Sequence, residues 1–171
     1  NTRYPPGSWQ QTEANQRLAD AQAKQAAATD AANKAGTYAQ QDVEDFAAYS
    51  SIPTINALTD DEHPCQILTD IFTFQEKRGP IQGRVVTFVG DGACNVPASW
   101  IFATAKLGFE LRIAAPKGYQ PALALLERAG ASHVHSDMQP GGEVIRADFQ
   151  SSGGKIMLTS DLAQAATGAH L

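Results

Sequence analysis

Hydrophobic and polar positions follow two alternating periods in the part of the chain after about residue 40. Short runs rich in β-branched residues are separated by longer segments in which apolar residues recur every three or four positions. The runs predict strands at 52–58, 84–89, 111–115 and 155–159, and the longer segments predict helices at 64–77, 97–107 and 121–129. Strands and helices that alternate in this way favour a parallel sheet with helices on both faces, which is a three-layer α/β fold.

The same pattern predicts which side chains form the core. Three apolar residues at helical spacing should pack helix 64–77 on the sheet, namely Ile67, Leu68 and Ile71. Five more are expected to be nearly fully buried, namely Val86, Phe88, Ile101, Leu111 and Ile113. The Gly- and Ser-rich stretch 138–154 predicts little regular structure beyond a short strand at 144–146.

Residues 1–36 differ in composition from the rest of the chain. They predict an extended lead and then one long Ala-rich helix over Trp9–Ala35, in which Leu18 is the only large aliphatic residue. Such a helix is either a solvated extension or an interaction helix that docks on another protein chain. The sequence therefore predicts two parts, residues 1–36 and residues 37–171.

Composition excludes some classes of partner. The 171 residues carry a net charge of −5 without a basic stripe, which argues against a nucleic-acid partner. No apolar run approaches the ~18 residues of a transmembrane segment. Cys65 and Cys94 lack metal-site spacing and favour free thiols in a reducing compartment. The first residue is Asn1, so we expect a mitochondrial location if a transit peptide was removed, and a cytoplasmic one otherwise.

Two loops at helix starts carry residue types that ligand sites use. In the first, His63-Pro64-Cys65-Gln66, the histidine is a candidate N-cap and the proline needs no hydrogen-bonding partner at the first helical position. Free N–H groups and the positive end of the helix dipole then face whatever binds there. His63 can donate a hydrogen bond that polarises a carbonyl oxygen, with Gln66 one turn further on. The alternative is a capping histidine without a ligand.

The second loop, Gly90-Asp91-Gly92-Ala93-Cys94-Asn95, connects strand 84–89 to a helix. Ligands in open α/β sheets bind at such turns, although Asp91 fits a loop-orienting role equally well. A dinucleotide site is not indicated, because the third glycine of that motif is missing. A metal site would need His63, Cys65, Cys94, His133 and His135 to converge, which their spacing does not suggest. We therefore expect no cofactor and no metal ion.

Five motifs in order make the sequence resemble the ornithine carbamoyltransferase branch of the aspartate/ornithine carbamoyltransferase family. They are the segment 52–60, the first loop, the second loop with Ser99, the segment 115–121, and Leu158-Thr159-Ser160-Asp161 with the residues that follow it. The resemblance runs from about Tyr38 to Leu171 and implies a Rossmann-like domain, specifically part of the family's ornithine-binding domain.

The resemblance also implies ligands and roles. His63 and Gln66 would hold the carbamoyl group of carbamoyl phosphate, and Asn95 would contact ornithine, with Ser99 and Asp91 as further substrate-binding candidates. The family's Ser-Thr-Arg-Thr-Arg phosphate-binding run does not occur in residues 1–171. Its later Asp-x-x-x-Ser-Met-Gly and His-Cys-Leu-Pro segments do not occur either.

Two hypotheses follow for function. In the first, the chain is part of a carbamoyltransferase and is inactive by itself, because no arginines neutralise the phosphate. In the second, it is a pseudoenzyme that serves as an accessory subunit of a larger assembly and docks through the helix at 9–35.

Overall fold

A five-stranded sheet flanked by helices forms the centre of residues 39–171, which are the residues described by the computed structural model. In chain order the elements are α1 (Gln40–Tyr49), α2 (Pro64–Arg78), β1 (Val85–Val89), α3 (Asn95–Leu107), β2 (Glu110–Ala114), α4 (Leu123–Arg128), β3 (Ser132–Gln139), β4 (Gly142–Phe149), β5 (Gly154–Thr159) and α5 (Leu162–Ala166). The predicted helix at 9–35 lies outside the described residues, and the division at residues 36 and 37 stays a prediction.

The strand order in the sheet is β1-β2-β5-β4-β3. Strands β1, β2 and β5 are parallel, with Val86 beside Leu111 and Leu111 beside Ile156. Strands β4 and β3 extend the sheet in antiparallel directions. The predicted α/β class is confirmed, and the parallel strands lie within one residue of their predicted bounds, but the sheet as a whole is mixed.

Helices cover both faces of the parallel strands. Thr87 Oγ1 donates to the carbonyl oxygen of Ala165, and Arg112 Nη1 donates to that of Thr167, so α5 and its C-cap lie on one face. Side chains alternate between faces along a strand. Leu111 and its neighbours therefore point to the opposite face, where the core also contains residues of α2 and α3. This arrangement gives the three predicted layers.

The core confirms four of the five residues expected to be nearly fully buried, namely Val86, Ile101, Leu111 and Ile113. The prediction was wrong for Phe88, which is half-buried because it lies on the edge strand β1 and lines a cavity of ≈ 420 Å³ between α2 and β1. It was also wrong for Leu68, which is 63% exposed. The buried face of α2 consists of Ile67, Ile71 and Phe74, and Leu68 lies off that face.

The predicted strand at 52–58 is absent. The segment has no regular secondary structure, and Ile52 and Ile55 are 61% and 78% exposed. Pro53 lacks an N–H, and the apolar residues of the segment do not alternate with period two, which is the pattern of a half-buried strand. The carbonyl groups of Asn56 and Ala57, and that of Thr59 just after the segment, instead accept hydrogen bonds from side chains of the two loops.

The β3–β4 hairpin was not predicted, apart from a short strand at 144–146. Strand β3 is polar and exposed along most of its length, so it has no apolar pattern to reveal it. Strand β4 is half-buried, with Val144, Ala147 and Phe149 in the interior. Among the described helices, none is long and apolar enough to cross a membrane.

Candidate functional site

His63 is the N-cap residue of α2, and its ring is held by a backbone carbonyl group. The Nδ1 atom lies 2.7 Å from the carbonyl oxygen of Ala57. A carbonyl oxygen can only accept, so Nδ1 carries the proton in this contact. The Nε2 atom of a neutral His63 is then an acceptor, and it becomes a donor only when the ring is an imidazolium. His63 can therefore act as a donor to a ligand's carbonyl oxygen, the predicted role, only in its imidazolium form.

Gln66 follows one turn later on α2, with an exposed side chain. Its Nε2 atom donates to Asp70 Oδ1 at 2.8 Å, an i,i+4 contact along the helix. The contact uses one of the two amide hydrogens. The Oε1 atom and the other amide hydrogen of Gln66 are left for a ligand.

Ser99 lies on α3 and fixes the backbone of His63. Its side chain is buried, and Oγ accepts from the N–H of His63 at 2.7 Å. This hydrogen bond joins the start of α2 to the first turns of α3. Ser99 thus positions His63, and a direct contact of Ser99 with substrate stays a prediction.

Asn95 is the first residue of α3, and its Nδ2 atom donates to the carbonyl oxygen of Thr59 at 2.7 Å. The Oδ1 atom and one amide hydrogen of Asn95 are left for a ligand. The structure therefore brings Asn95 to the same segment, 57–63, that holds His63. Two of the predicted site residues, one from each loop, are joined through this segment.

Asp91 orients the second loop. Its Oδ1 atom accepts from the N–H of Ala93 at 2.9 Å, and Cys94 Sγ donates to its carbonyl oxygen at 3.2 Å. These contacts support the structural alternative for Asp91, while a ligand contact stays a prediction. Gly92 is buried against the 115–121 motif, since a Cβ atom there would lie 2.9 Å from the carbonyl oxygen of Tyr119.

Thr59 is a junction to which the sequence assigned no role. Its side chain is buried, and Oγ1 donates to Gln40 Oε1 at 2.7 Å while accepting from the N–H of Glu62 at 3.1 Å and from Asn56 Nδ2 at 3.3 Å. It lies inside the 52–60 motif, so its membership of a motif was the available signal. Asn56 was missed as well, and its Oδ1 atom is buried without a hydrogen-bond partner among the described residues.

One ion pair fastens the same segment to α4. Arg128 Nη2 lies 3.2 Å from Glu62 Oε1, and the guanidinium group lies over the ring of Phe102 with its carbon 5.2 Å from the ring centroid. Glu62 immediately precedes His63, so this pair holds the entrance to α2. Within residues 39–171, no group of three or more acidic, cysteine or histidine side chains has the arrangement of a metal site.

Two models of one family match the chain. The model described as "Aspartate/ornithine carbamoyltransferase, carbamoyl-P binding domain" matches residues 8–76, and the one described as "Aspartate/ornithine carbamoyltransferase, Asp/Orn binding domain" matches residues 82–171. The first match extends the resemblance to the carbamoyl phosphate-binding domain and includes His63 and Gln66. The second match includes Asn95 and Ser99.

Curated relatives agree with these matches. An ornithine carbamoyltransferase of Psychrobacter arcticus is 54% identical over 92 residues, which are 54% of this chain and 30% of the relative. One of Ralstonia pickettii is 44% identical over 123 residues, 69% of this chain and 40% of the relative. The chain thus spans less than half the length of the curated relatives it matches.

Solved structures show the same likeness. Ornithine carbamoyltransferase from Pyrococcus furiosus superimposes with a TM-score of 0.61 and 37% identity, over 75% of this chain and 36% of that one. The enzyme from Thermus thermophilus gives a TM-score of 0.59 and 33% identity, over 78% and 38% of the two chains. The second of the two family models matches more than half of this chain, so the chain belongs to the aspartate/ornithine carbamoyltransferase family.

Proposed function

We propose that the protein takes part in transfer of the carbamoyl group from carbamoyl phosphate to the side-chain amine of ornithine. The relatives named above are ornithine carbamoyltransferases, which supports this choice of reaction. The observation that carries the proposal is the junction of His63 and Asn95 through segment 57–63. In this reaction the amine nitrogen attacks the carbamoyl carbon, the bond from that carbon to the phosphate oxygen breaks, and the amine loses a proton.

In this proposal, His63 acts on the carbamoyl oxygen. With Nδ1 donating to Ala57, the imidazolium form can donate a second hydrogen bond from Nε2. Negative charge builds on the carbamoyl oxygen as the amine attacks, and a fixed cationic donor stabilises that charge. The Ala57 contact keeps the ring from turning, so Nε2 needs little reorganisation.

Gln66 is assigned to the nitrogen end of the carbamoyl group. One of its amide hydrogens bonds to Asp70, which orients the amide group, and its Oε1 atom can accept from the carbamoyl NH₂. A donor at one end of the carbamoyl group and an acceptor at the other distinguish its oxygen from its nitrogen. The two residues would thereby fix the plane that the amine attacks.

Asn95 is assigned to ornithine, through its free Oδ1 atom and remaining amide hydrogen. Because Thr59 holds Asn95 and lies four residues before His63, the amino acid and the carbamoyl group would be held in one frame. Proximity of this kind can supply a large part of a rate enhancement. Asp91 and Ser99 would then act by shaping the loop and by fixing His63.

In this proposal, no group in residues 39–171 neutralises the charge of the phosphate. The sequence contains no Ser-Thr-Arg-Thr-Arg run, and Arg128 beside the site is paired with Glu62. Charge neutralisation of a leaving phosphate is a leading electrostatic contribution to such a reaction. We therefore expect the 171-residue chain alone to form no measurable citrulline from carbamoyl phosphate and ornithine.

Ligand binding tests the site apart from turnover. Ornithine added to the isotope-labelled chain should shift amide NMR signals of the Gly90–Asn95 loop, and Asn95→Ala should abolish the shifts. The His135→Gln variant, at an exposed histidine on β3, should retain them and serves as the matched control. Absence of shifts at millimolar ornithine, or shifts that persist in Asn95→Ala, would contradict the assignment. Citrulline formation by the chain alone would confirm the reaction and overturn only its expected inactivity.

The accessory-subunit hypothesis and the mitochondrial location stay predictions. The docking hypothesis depends on residues 9–35, which lie outside the described residues. No contact in residues 39–171 favours it over the carbamoyl-transfer proposal.

A further inference from the structure

Strand β3 forms one edge of the sheet, and its outer side has no neighbouring strand among residues 39–171. Most of the strand is exposed, with Met138 80% and Val134 38% accessible. The opposite edge of the sheet, strand β1, is hydrogen-bonded to residues 170 and 171. There His170 donates its N–H to the carbonyl oxygen of Val85, and Thr87 donates to that of Leu171. Strand β3 contains neither lysine nor proline, the residues that commonly protect an exposed edge.

The turn of the hairpin determines which backbone groups point outward. Gln139 pairs with Gly142 across Pro140-Gly141. Pro140 has no N–H and therefore cannot bond to β4 through one. Gln139 and Gly142 are then the hydrogen-bonded pair, in which each residue donates its N–H to the carbonyl oxygen of the other. Alternate residues then bond to β4, and the N–H and C=O groups of Ser136 and Met138 point to the open side. The alternation continues to Val134, close to the register shift between Ser132 and His135.

The segment Val134–Met138 is self-complementary in an antiparallel pairing centred on Ser136. In that register Val134 lies opposite Met138 of a second copy, and both are apolar. His135 lies opposite Asp137 of the second copy, so an acid meets a basic side chain and no like charges are opposed. Within its own chain Asp137 lies 3.5 Å from Arg146 Nη1 and 4.0 Å from His135 Nε2, so the paired faces would interleave acids and bases.

We propose that two copies of this chain associate through β3, antiparallel and about a two-fold axis at Ser136. The pairing joins two five-stranded sheets into one continuous sheet. Residues 134, 136 and 138 of each copy exchange about six backbone hydrogen bonds, as hydrogen-bonded antiparallel pairs do. A two-fold interface of this kind is self-complementary and closed, which limits the assembly at this edge to two copies.

Two substitutions at the axis separate backbone pairing from side-chain effects. Ser136→Pro removes an N–H that points away from β4, so it should leave the hairpin intact while removing two interchain hydrogen bonds from the dimer. Ser136→Ala is the matched control, because it keeps the N–H and loses only the hydroxyl contact to Glu143. By sedimentation of the full chain we expect a dimer that Ser136→Pro weakens by at least about tenfold and that Ser136→Ala preserves. A monomeric wild-type chain, or a mass that Ser136→Pro does not change, overturns the proposal.

Disulfide trapping gives a second readout that does not depend on how well the proline variant folds. Directly opposed residues have Cα atoms within the range that a disulfide spans, about 5.5 Å apart. Ser136→Cys should therefore form a covalent dimer under mild oxidation faster than the wild-type chain with Cys65 and Cys94. Met138→Cys is the control, since its own copy lies four residues away in this register. Equal trapping of the two variants overturns the proposed register, and no trapping of Ser136→Cys overturns the interface.

Discussion

Replacement of Thr59 by valine tests whether this residue holds the candidate site together. Valine has nearly the shape of threonine, so packing is conserved while the hydroxyl group is lost. In the wild type the hydroxyl donates to Gln40 Oε1 and accepts from the N–H of Glu62 and from Asn56 Nδ2. The variant therefore leaves two donors and one acceptor without their partner.

The expected loss follows from how deeply these partners lie. A buried donor left without an acceptor costs about 1–3 kcal/mol. Gln40, Asn56 and Glu62 are half-buried rather than fully buried, so water replaces part of each lost contact. We expect Thr59→Val to lower the free energy of unfolding by about 2–3 kcal/mol, below the sum of three full penalties.

Urea unfolding followed by circular dichroism measures the loss, and Thr59→Ser is the matched control. Serine keeps the hydroxyl group and removes one buried methyl group, which costs about 1 kcal/mol. If the two variants lost the same free energy, the hydroxyl contacts would contribute nothing and the junction role of Thr59 would be refuted. A loss that is greater for Thr59→Val than for Thr59→Ser by about 1 kcal/mol or more would show that the hydrogen bonds contribute to stability.

Three further predictions concern the core, the helix ends and the N-terminal segment. Phe109→Ala should destabilise the chain by about 3–5 kcal/mol in urea unfolding, because Phe109 is 1% exposed and meets Trp100 edge-on at 5.8 Å between ring centroids. The control Phe72→Ala, at a side chain that is 62% exposed, should cost below about 1 kcal/mol, and similar losses in the two variants would contradict the core assignment. Gly108→Ala should lower the free energy of unfolding by about 3 kcal/mol and Gly79→Ala by about 1 kcal/mol. Both glycines have positive φ, but of the two only Gly108 lies where a Cβ atom would meet a backbone atom, the carbonyl oxygen of Ser152. The reverse order of melting temperatures would refute this explanation. Deletion of residues 1–36 should leave the melting temperature of the remainder almost unchanged, because an Ala-rich face with one leucine buries little apolar area; unfolding of the remainder would show that the segment belongs to its core.

The sequence predicted those elements whose burial leaves a pattern. Strands β1, β2 and β5 are apolar runs between glycine-bounded helices, and Asp161 caps α5 by accepting from the N–H of Gln164 at 3.0 Å. Strand β3 could not be predicted in this way, because exposure removes the periodic apolar signal. The 52–58 segment failed for the opposite reason, since its apolar residues are exposed and its backbone serves the site.

The candidate site shows a similar division. Local rules for helix starts and strand-to-helix turns pointed to the two loops, and the resemblance to the family then singled out His63, Gln66 and Asn95. Their contact with a ligand stays a prediction. The contacts that hold these residues are long-range, such as Ser99 to His63 over 36 positions. No local pattern encodes a pairing of that kind. Thr59 therefore remained one polar residue among several until the fold showed what it joins.

The long-range contacts of the candidate site connect the two regions that the family models match. The match to the carbamoyl phosphate-binding domain ends at residue 76, and the match to the second domain begins at residue 82. All but the last two residues of helix α2 lie in the first match and α3 lies in the second, yet the hydrogen bonds from His63 to Ser99 and from Asn95 to Thr59 cross between the two matched regions. In the proposed function, the residue assigned to the carbamoyl group, His63, is thus held by the region that matches the amino acid-binding domain, and Asn95 is held by the region that matches the carbamoyl phosphate-binding domain. Because each region fixes a residue assigned to the other, displacement of either one would disturb both ends of the proposed reaction.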